Sequence, residues 1–531
     1  MKPILLQRVA AACLVGAAAA ATQAQFDPAK VVREPEAIAK RYPDPALSYA
    51  TPGFKAGRAD FPSHAEVLAF LDELARSSPR VKVEEAGRSQ RGLVLPLVIL
   101  SASGQPDPAL PSVLILGQQH GNEPSGGEAA LVLAQQLAGP RAALLDKVNV
   151  LIVPRANPDG GDRFVRTTAS GIDVNRDHLL LQTPEGRALA ALTLKYKPQV
   201  VLDLHEFTLA GRWVDKFGAM LKYDALLQPA GVGNLDPHIA AAAQADYIER
   251  MQAALAAQGL SSFAYHTTSS DPKDKVVSMG GVQPDTGRNV GGLRPAISML
   301  IEVRGVGIGR AHFLRRVHTQ ALAAMTVVET AAAQGPRLLA LVRQAEADAQ
   351  AQACRGELVV EARHTPGRQK MVMLDAASGA DLPMEVDWRA AEPLQVVRSR
   401  PRPCGYLLAA AQAGTLERLR LLGVRLQTVA QASRWQVERY RVTAQDDGKR
   451  QDARGAIEDG APIRVLAVET EAGSDVVGPG AVYVSMAQPL APMIAAALEP
   501  DSQNSYAANR LLEPAQLRRV MTPPQPAWFK P

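Results

Sequence analysis

The sequence predicts an α/β layer fold with a largely parallel or mixed sheet. Two nearly continuous apolar runs, residues 113–116 and 148–153, are typical of strands that are covered on both faces. A helical pattern lies between them, over residues 125–137. Strand and helix patterns continue to alternate downstream, and such alternation indicates helices packed against a sheet.

The remaining elements follow from the same periodicities. A helix begins after Pro62-Ser63, since apolar residues recur there at helical spacing. Short apolar runs indicate the strands, and longer amphipathic stretches indicate the helices. The predicted strands are 81–85, 93–101, 113–116, 148–153, 200–204 and 297–303, and the later helices are 184–196, 239–258 and 313–333.

The length of 531 residues predicts roughly two to three domains. Lys2 and Arg8, an apolar run over 9–21 and a small-residue site ending at Ala24 predict a signal peptide. Gln334-Gly335-Pro336 marks the end of the α/β part. The predicted units are a signal peptide 1–24, an extended lead-in 25–46, the α/β domain 47–335, a helical linker 336–356 and a smaller α+β accessory domain 357–531.

Composition excludes several classes of protein. With 47% hydrophobic and 21% charged residues, the chain is typical of globular proteins, and its net charge of +5 is small for this length. The basic cluster at residues 398–402 lacks interleaved aromatics, so no nucleic-acid partner is expected. Thirteen apolar residues at 9–21 are too few to span a bilayer, so we expect export to the periplasm or medium, with no stable membrane insertion after cleavage.

Two cysteines remain after removal of the signal peptide, Cys354 and Cys404. An oxidising compartment would allow them to form a disulfide. The alternative is a pair of buried free thiols, because sequence does not give the separation that a bridge requires. Both possibilities stay open at this point, as does the oligomeric state.

The sequence His120-Gly121-Asn122-Glu123 directly follows the apolar run at 113–116 and predicts half of a metal site. An imidazole and a carboxylate three positions apart can bind one ion together. His205 ends a second apolar run and supplies a third ligand. Two His and one Glu leave a fourth tetrahedral position for water, which is the arrangement of a catalytic zinc site with one ion.

Further polar residues supply what a metal-assisted hydrolysis needs. Glu302 ends an apolar strand, where it is placed to act as a general base and acid. Arg166 is a candidate for stabilising an oxyanion. Asn175 and Arg176 offer an amide and a planar guanidinium for binding a carboxylate.

These motifs resemble those of the carboxypeptidase A-like zinc metallopeptidases, or metallocarboxypeptidases. The resemblance covers about residues 47–335, and its specificity comes from the order of several motifs that are individually weak. They are Gly87-x-Ser89-x-x-Gly92, His120-x-x-Glu123, Asn157-Pro158-Asp159-Gly160, Arg163-x-x-Arg166, Asp173-x-Asn175-Arg176, His205 and Glu302-x-Arg304.

The resemblance implies a mixed eight-stranded sheet flanked by helices. It also implies roles for the residues that match the family motifs. Zinc would be bound by His120, Glu123 and His205, and Asp173 would orient His120. Asn175 and Arg176 would hold the C-terminal carboxylate of a peptide, Arg166 would polarise the scissile carbonyl, and Glu302 would be the general base and acid.

Two departures from the family leave the substrate open. The family's mobile tyrosine is absent, since no Tyr lies between Tyr265 and Glu302. A polar, Gly-rich loop at 280–289 is expected instead, with Arg288 either binding an acidic group of the substrate or remaining solvated. The H-G-N-E motif also resembles deacylases of acyl-amino acids.

The expected function is therefore an exported zinc carboxypeptidase that releases C-terminal residues from peptides. One alternative is a zinc deacylase or amidase of N-acyl amino acids or peptidoglycan stem peptides. A second alternative is a catalytically silent binding protein with the same fold. The residues alone do not give the side-chain preference or the role of the C-terminal domain.

Overall fold

The computed structural model of the protein describes residues 26–452, 455–456 and 462–530. The predicted signal peptide, residues 1–24, lies outside the described residues. The strands, numbered in chain order, are β1 (Val81–Arg88), β2 (Val94–Leu100), β3 (Ser112–Gly117), β4 (Asn149–Val153), β5 (Val200–Thr208), β6 (Ala219–Leu221), β7 (Ala225–Pro229), β8 (Ser262–Ala264), β9 (His266–Thr268), β10 (Val277–Met279), β11 (Ile297–Val306), β12 (Glu357–Asp375), β13 (Asp381–Pro401), β14 (Gly405–Leu408), β15 (Gln427–Thr428), β16 (Ser433–Lys449), β17 (Gln451–Asp452), β18 (Gly455–Ala456), β19 (Pro462–Val477), β20 (Val482–Ser485) and β21 (Leu517–Val520).

The helices occupy most of the stretches between the strands of the α/β part. They are α1 (Glu36–Ala39), α2 (His64–Ser77), α3 (Pro124–Ala138), α4 (Pro158–Arg163), α5 (Pro184–Tyr196), α6 (Arg212–Phe217), α7 (Pro237–Ala242), α8 (Glu249–Ala257), α9 (Gly287–Leu293), α10 (Phe313–Ala333), α11 (Gly335–Ala351), α12 (Ala413–Leu421) and α13 (Ala491–Leu498). A π-helical segment, Ala243–Ile248, joins α7 to α8. Single 3-10 turns occupy Pro28–Lys30, Pro52–Phe54, Ala142–Asp146, Val174–Arg176, Pro514–Gln516 and Pro526–Trp528.

The main sheet has eight strands in the order β1-β2-β4-β3-β5-β11-β7-β8. Its central strand β3 is parallel to both β4 and β5, and β5 is parallel to β11. The pairs β1–β2, β2–β4 and β7–β11 are antiparallel. The sheet is therefore mixed and eight-stranded, which confirms the predicted fold class.

Helices cover both faces of this sheet, which explains the continuous apolar runs. Along β3, Val113 and Ile115 pack into a core that includes residues of α3 and α10. Leu114 and Leu116 point to the opposite face, where they pack with Leu189 of α5. Because successive strand residues alternate between faces, a strand buried on both sides is apolar at every position.

Local signals predicted several helix ends correctly. Helix α2 begins at His64 because the Ser63 hydroxyl accepts a hydrogen bond from the Glu66 amide, and the Glu66 carboxylate accepts one from the Ser63 amide. This reciprocal pair is a capping box. The predicted helices at 184–196 and 313–333 have the observed bounds of α5 and α10.

The C-terminal part of the chain forms sheet together with strands of the α/β part. A five-stranded sheet has the order β6-β12-β13-β10-β9, so the long strands β12 and β13 pair with β6 and β10 from before residue 335. A six-stranded sheet has the order β15-β20-β14-β21-β16-β19. Its strands β16 and β19 are antiparallel and form the second long hairpin, and the short strands β17 and β18 pair with each other. The predicted domain boundaries at 335 and 357 stay a prediction.

Cys354 and Cys404 form a disulfide with a Cα–Cα separation of 4.2 Å. The bond links the segment after α11 to the residue that precedes β14, so the disulfide is the alternative that the structure contains. Across the described stretches of chain, no helix combines the length and apolar character needed to cross a bilayer.

Candidate metal centre and substrate pocket

The three predicted metal ligands converge at the carboxyl ends of neighbouring parallel strands. His120 lies in the turn after β3, Glu123 is the N-cap residue of α3, and His205 lies in β5. Gly117 and Leu204 are opposite each other in the parallel β3–β5 pair. The residues that follow them, including His120 and His205, therefore lie toward the same end of the two strands. One ligand atom from each of the three residues lies within 4.8 Å of the others, and all three residues are buried.

The donor atoms of this cluster face one another closely. Nδ1 of His120 lies 2.8 Å from Oε1 of Glu123, and Nδ1 of His205 lies 3.0 Å from Oε2 of Glu123. The two Nδ1 atoms are 3.1 Å apart. Lone pairs that converge in this way suit a shared cation, and two imidazoles with one carboxylate are the ligand set of catalytic zinc sites. The residues present therefore fit zinc.

The glycine in the His120-Gly121-Asn122-Glu123 sequence is required by close backbone contact. A Cβ atom at Gly121 would lie 2.0 Å from the carbonyl carbon of Gly160. Gly160 is held there by Asn157, whose Oδ1 accepts a hydrogen bond of 2.9 Å from the Gly160 amide. The Asn157-Pro158-Asp159-Gly160 motif thus packs directly against the turn that carries two of the ligands.

Asp173 contacts the His120 ring on the side away from the other ligands. Its Oδ1 lies 3.0 Å from Nε2 of His120, so the structure brings these two predicted site residues together. Its Oδ2 accepts hydrogen bonds of 3.1 and 2.8 Å from Nε and Nη2 of Arg166. Burial raises the pKa of the Asp173 carboxyl, but Arg166 and His120 outweigh burial and hold that pKa well below its ordinary value. The carboxylate is therefore charged and able to orient the ring.

Asp203 contacts the His205 ring as Asp173 contacts the His120 ring. This residue was not predicted from the sequence. Its Oδ2 lies 2.8 Å from Nε2 of His205. Burial raises the pKa of Asp203, but the neighbouring His205 outweighs it and the pKa is lowered. The signal was present in the order Asp203-Leu204-His205, because residues two apart in a strand share a face. Gln320 adds a hydrogen bond of 2.7 Å from Nε2 to the His205 carbonyl oxygen.

Glu302 lies directly opposite His205 in the parallel β5–β11 pair. Its side chain lines the same pocket as His120 and Glu123 and is 8% exposed. Burial raises the pKa of the Glu302 carboxyl above its ordinary value, an effect that His205 partly offsets. The structure therefore brings Glu302, the predicted general base and acid, next to His205 of the cluster. Its raised pKa means that the carboxylate binds a proton more tightly than an ordinary glutamate does.

Arg166, Asn175 and Arg176 also line the pocket. Nη1 of Arg166 lies 3.2 Å from Oε1 of Glu123, so its guanidinium bridges Glu123 and Asp173. The Asn175 side chain has contacts of its own: Nδ2 lies 3.0 Å from Nε2 of His205. Its Oδ1 accepts a hydrogen bond of 2.8 Å from the Gly287 amide. The Asn175 side chain, predicted to bind substrate, thus also contacts His205 and the backbone of Gly287.

Arg288 differs from both its expected environment and its expected secondary structure. The segment expected to be loop up to residue 289 becomes helix α9 at Gly287, so Arg288 lies in the first turn of a helix. Its side chain is 4% exposed and lines the pocket, and Nη2 donates a hydrogen bond of 2.7 Å to the Gly281 carbonyl. The expectation of a solvated loop arginine is wrong, because Arg288 is buried in a segment that residues of the C-terminal part of the chain, including His364, Arg450 and Asn504, contact. Burial lowers the pKa of Arg288 to about 10.

The pocket has a volume of about 210 Å³ and is rich in cations and aromatic rings. Residues of the lining that were not predicted as site residues include Phe207, Arg212, Trp213, Tyr265 and His266. Burial lowers the pKa of His266 to about 4, so this ring is neutral at pH 7. Trp213 packs edge-on against it. These side chains come from two stretches of the chain, residues 207–213 and 265–266, which the fold brings together at the pocket.

A mixed eight-stranded sheet that carries a His–Glu–His cluster beside a buried acid defines a class of metal-dependent hydrolases. Residues 67–210, which include all three ligands, match the family model described as zinc carboxypeptidase. Carboxypeptidase 2 of Trichophyton rubrum is 29% identical over 466 residues, covering 86% of this chain and 85% of the relative. Carboxypeptidase 2 of Trichophyton equinum is 29% identical over 402 residues, covering 74% of each chain.

Among solved structures, the metallo-carboxypeptidase from Burkholderia cenocepacia is 21% identical with a TM-score of 0.38, covering 51% of this chain and 70% of that one. The family match and the long relatives confirm the resemblance drawn from the motifs. The chain is thus similar to zinc carboxypeptidases, through the family model over residues 67–210 and through carboxypeptidase relatives over most of its length.

Proposed function

We propose that the protein is an exported zinc-dependent carboxypeptidase that releases C-terminal residues from peptides. The observation that carries the proposal is the convergence of His120, Glu123 and His205 next to Glu302, at the bottom of a pocket lined by arginines. The match of residues 67–210 to the family model and the carboxypeptidase relative aligned over 86% of this chain support it. One zinc ion is the proposed cofactor, and a peptide is the proposed substrate.

Zinc held by His120, Glu123 and His205 would supply a Lewis acid and lower the pKa of a water molecule. Glu302 acts on that water as the general base and takes its proton as the hydroxide attacks the scissile carbonyl carbon. A raised pKa suits this step, because the carboxylate then binds the proton more tightly. Glu302 next delivers the same proton to the leaving amine, which restores its carboxylate.

The arginines and Asn175 supply binding and charge stabilisation. Arg166 lies beside Glu123 and takes a share of the negative charge that develops on the carbonyl oxygen. Arg176 and Asn175 bind the C-terminal carboxylate of the peptide, and a planar guanidinium suits two parallel hydrogen bonds to it. A peptide bound in this way would have its last peptide bond near Glu302, in the same pocket, which is the basis for proposing release of single C-terminal residues.

Arg288 makes an acidic C-terminal residue the preferred substrate. Within the described parts of the chain, no carboxylate forms an ion pair with its guanidinium, although the group is buried. Glu302 and Glu392 act on its pKa only through their charge. A buried charge without a counter-ion is costly, and a side-chain carboxylate of the substrate would compensate it. Arg288 is thus proposed to bind the side chain of a terminal Asp or Glu.

The metal and the general base are tested together by metal analysis and by Glu302→Gln. We expect one zinc per chain, loss of hydrolysis on chelation, and a decrease in kcat of about 10²- to 10⁴-fold in the variant. Glu128→Gln is the matched control, since Glu128 is also buried with a pKa raised by burial but lies outside the pocket. A protein that binds no zinc, or a Glu302→Gln variant with unchanged kcat, would show the proposal to be wrong.

A substrate panel distinguishes the proposed activity from the two alternatives. Blocked dipeptides with a free carboxylate should be hydrolysed, and their C-terminal amides should not, because Arg176 and Asn175 require the carboxylate. Faster turnover of N-acyl amino acids with no peptide hydrolysis would identify a deacylase. Binding without turnover of any panel member, in zinc-loaded protein, would identify a silent binding protein.

Export to the periplasm or the medium is proposed from the N-terminal pattern of Lys2, Arg8 and the following apolar run. The Cys354–Cys404 disulfide supports it, because such bonds persist in oxidising compartments. Cell fractionation with N-terminal sequencing of the mature protein tests both points. Retention of the uncleaved chain in the cytoplasm would contradict the proposal.

A further inference from the structure

Asp285 is a fully buried carboxylate whose partners come from the far end of the chain. It forms an ion pair with Arg450, 165 residues away, and Oδ2 accepts a hydrogen bond of 2.9 Å from Nδ2 of Asn504, 219 residues away. Arg450 directly follows β16, in the second long hairpin, and Asn504 follows α13. Both partners are themselves buried.

The segment around Asp285 forms one wall of the substrate pocket. Gly281, Thr286 and Arg288, on either side of Asp285, line the pocket. Within the segment, Asn289 donates hydrogen bonds of 3.0 and 2.7 Å to the carbonyl oxygens of Gly281 and Gln283. These contacts stabilise the shape of the turn, but they do not attach it to the rest of the molecule.

Arg450 connects this wall to Arg176, which lines another part of the pocket. Besides its ion pair with Asp285, its Nη2 donates a hydrogen bond of 2.6 Å to the carbonyl oxygen of Arg176. One guanidinium from the C-terminal part of the chain therefore touches the backbone of a predicted substrate anchor and the segment that carries Arg288. A planar guanidinium with several N–H donors is suited to joining two acceptors at fixed geometry.

We infer that Arg450 and Asn504 are positioning residues for the substrate pocket: they hold the 281–288 segment through Asp285 and hold Arg176 through its carbonyl oxygen. The inference assigns the C-terminal part of the chain a role in binding the substrate. Its kinetic consequence rests on the proposed peptidase function, whereas its structural consequence does not. Neither Arg450 nor Asn504 lines the pocket, so both act through other residues.

The first test is Arg450→Met, compared with Arg464→Met. Arg464 is a matched control, because it is a buried arginine in β19 of the same hairpin and pairs with Glu513 at 2.8 Å, away from the pocket. Hydrogen–deuterium exchange of peptides covering residues 280–290 should become about tenfold faster in Arg450→Met and stay unchanged in Arg464→Met. Equal protection of this segment in both variants would overturn the inference, whether or not the protein hydrolyses peptides.

The second test separates positioning from general destabilisation. For a peptide with a free C-terminal carboxylate, Arg450→Met should raise KM about tenfold and leave kcat within about threefold, since small displacements of anchoring groups weaken binding strongly. The double variant Arg450→Met/Asp285→Asn removes the unpaired buried charge, so its Tm should recover while KM and exchange stay high. Arg450→Lys should restore part of the wild-type KM. A KM that returns to the wild-type value together with Tm in the double variant would refute positioning.

Discussion

Replacing Arg288 with Met removes a buried charge from the pocket while keeping most of the apolar stem. Burial lowers the pKa of Arg288 from 12.5 to about 10, so the group is still fully charged at pH 7. With 4% of the residue exposed, a substrate carboxylate that reaches it is largely shielded from water. The variant therefore isolates the interaction between this charge and the side chain of the C-terminal residue.

The size of the effect follows from the cost and gain of this ion pair. Two unit charges about 4 Å apart interact by roughly 4 kcal/mol at an effective dielectric constant of 20. Part of this gain is lost because the carboxylate leaves water, and a hydrogen bond to a charged group contributes about 1.5–3 kcal/mol net. Because about 1.4 kcal/mol corresponds to a factor of ten, we expect a preference of about 10- to 100-fold in kcat/KM.

The assay compares kcat/KM for three peptides that differ only in a C-terminal Glu, Gln or Leu. Wild-type enzyme should prefer Glu over Gln by the stated factor, and Arg288→Met should lose that preference while its rates for Gln and Leu change by less than about threefold. Arg294→Met is the control, because Arg294 follows the other end of α9, donates to the Leu422 carbonyl and lies outside this pocket. Equal wild-type rates for Glu and Leu, or a uniform loss for all three peptides in Arg288→Met, would refute the reasoning.

Two further predictions concern the ligand cluster and the stability of the fold. Asp203→Asn removes the charge beside His205, so zinc affinity measured by competition with a chelator should fall about 10- to 100-fold, and unchanged affinity would exclude an orienting role. Burial lowers the pKa of His64 to about 4, below the value of 6.5 expected when the chain is unfolded, so the unfolded state binds more protons between these values. Stability is therefore full above pH 6.5 and falls as pH decreases toward 4, by about 2–3 kcal/mol at pH 4.5. Urea unfolding at pH 7 and 4.5 should show this loss in wild type and a smaller one in His64→Leu, and an identical pH dependence in both proteins would count against it.

Features encoded by near neighbours were predictable from the sequence. The His120-Gly121-Asn122-Glu123 motif places two ligands within one turn, and the apolar strand before it determines that the turn lies at a sheet edge. His205 and Glu302 directly follow two other apolar runs, so the same reasoning identified them without any knowledge of strand order. The helix that starts at His64 follows from its Ser63 cap. In each case the physical cause, hydrophobic periodicity or a local hydrogen bond, acts over a few residues.

The tertiary structure alone decided the environment of the pocket. Arg288 is buried, not solvated, in a segment that residues from the C-terminal part of the chain contact. Asp285 has its partners at Arg450 and Asn504, 165 and 219 residues away. Contacts of this kind depend on how separate elements pack, and no period or spacing in the sequence records that packing. The sequence by itself thus identified the three candidate metal ligands and the acid beside them, whereas the folded chain determined which charged groups line the pocket.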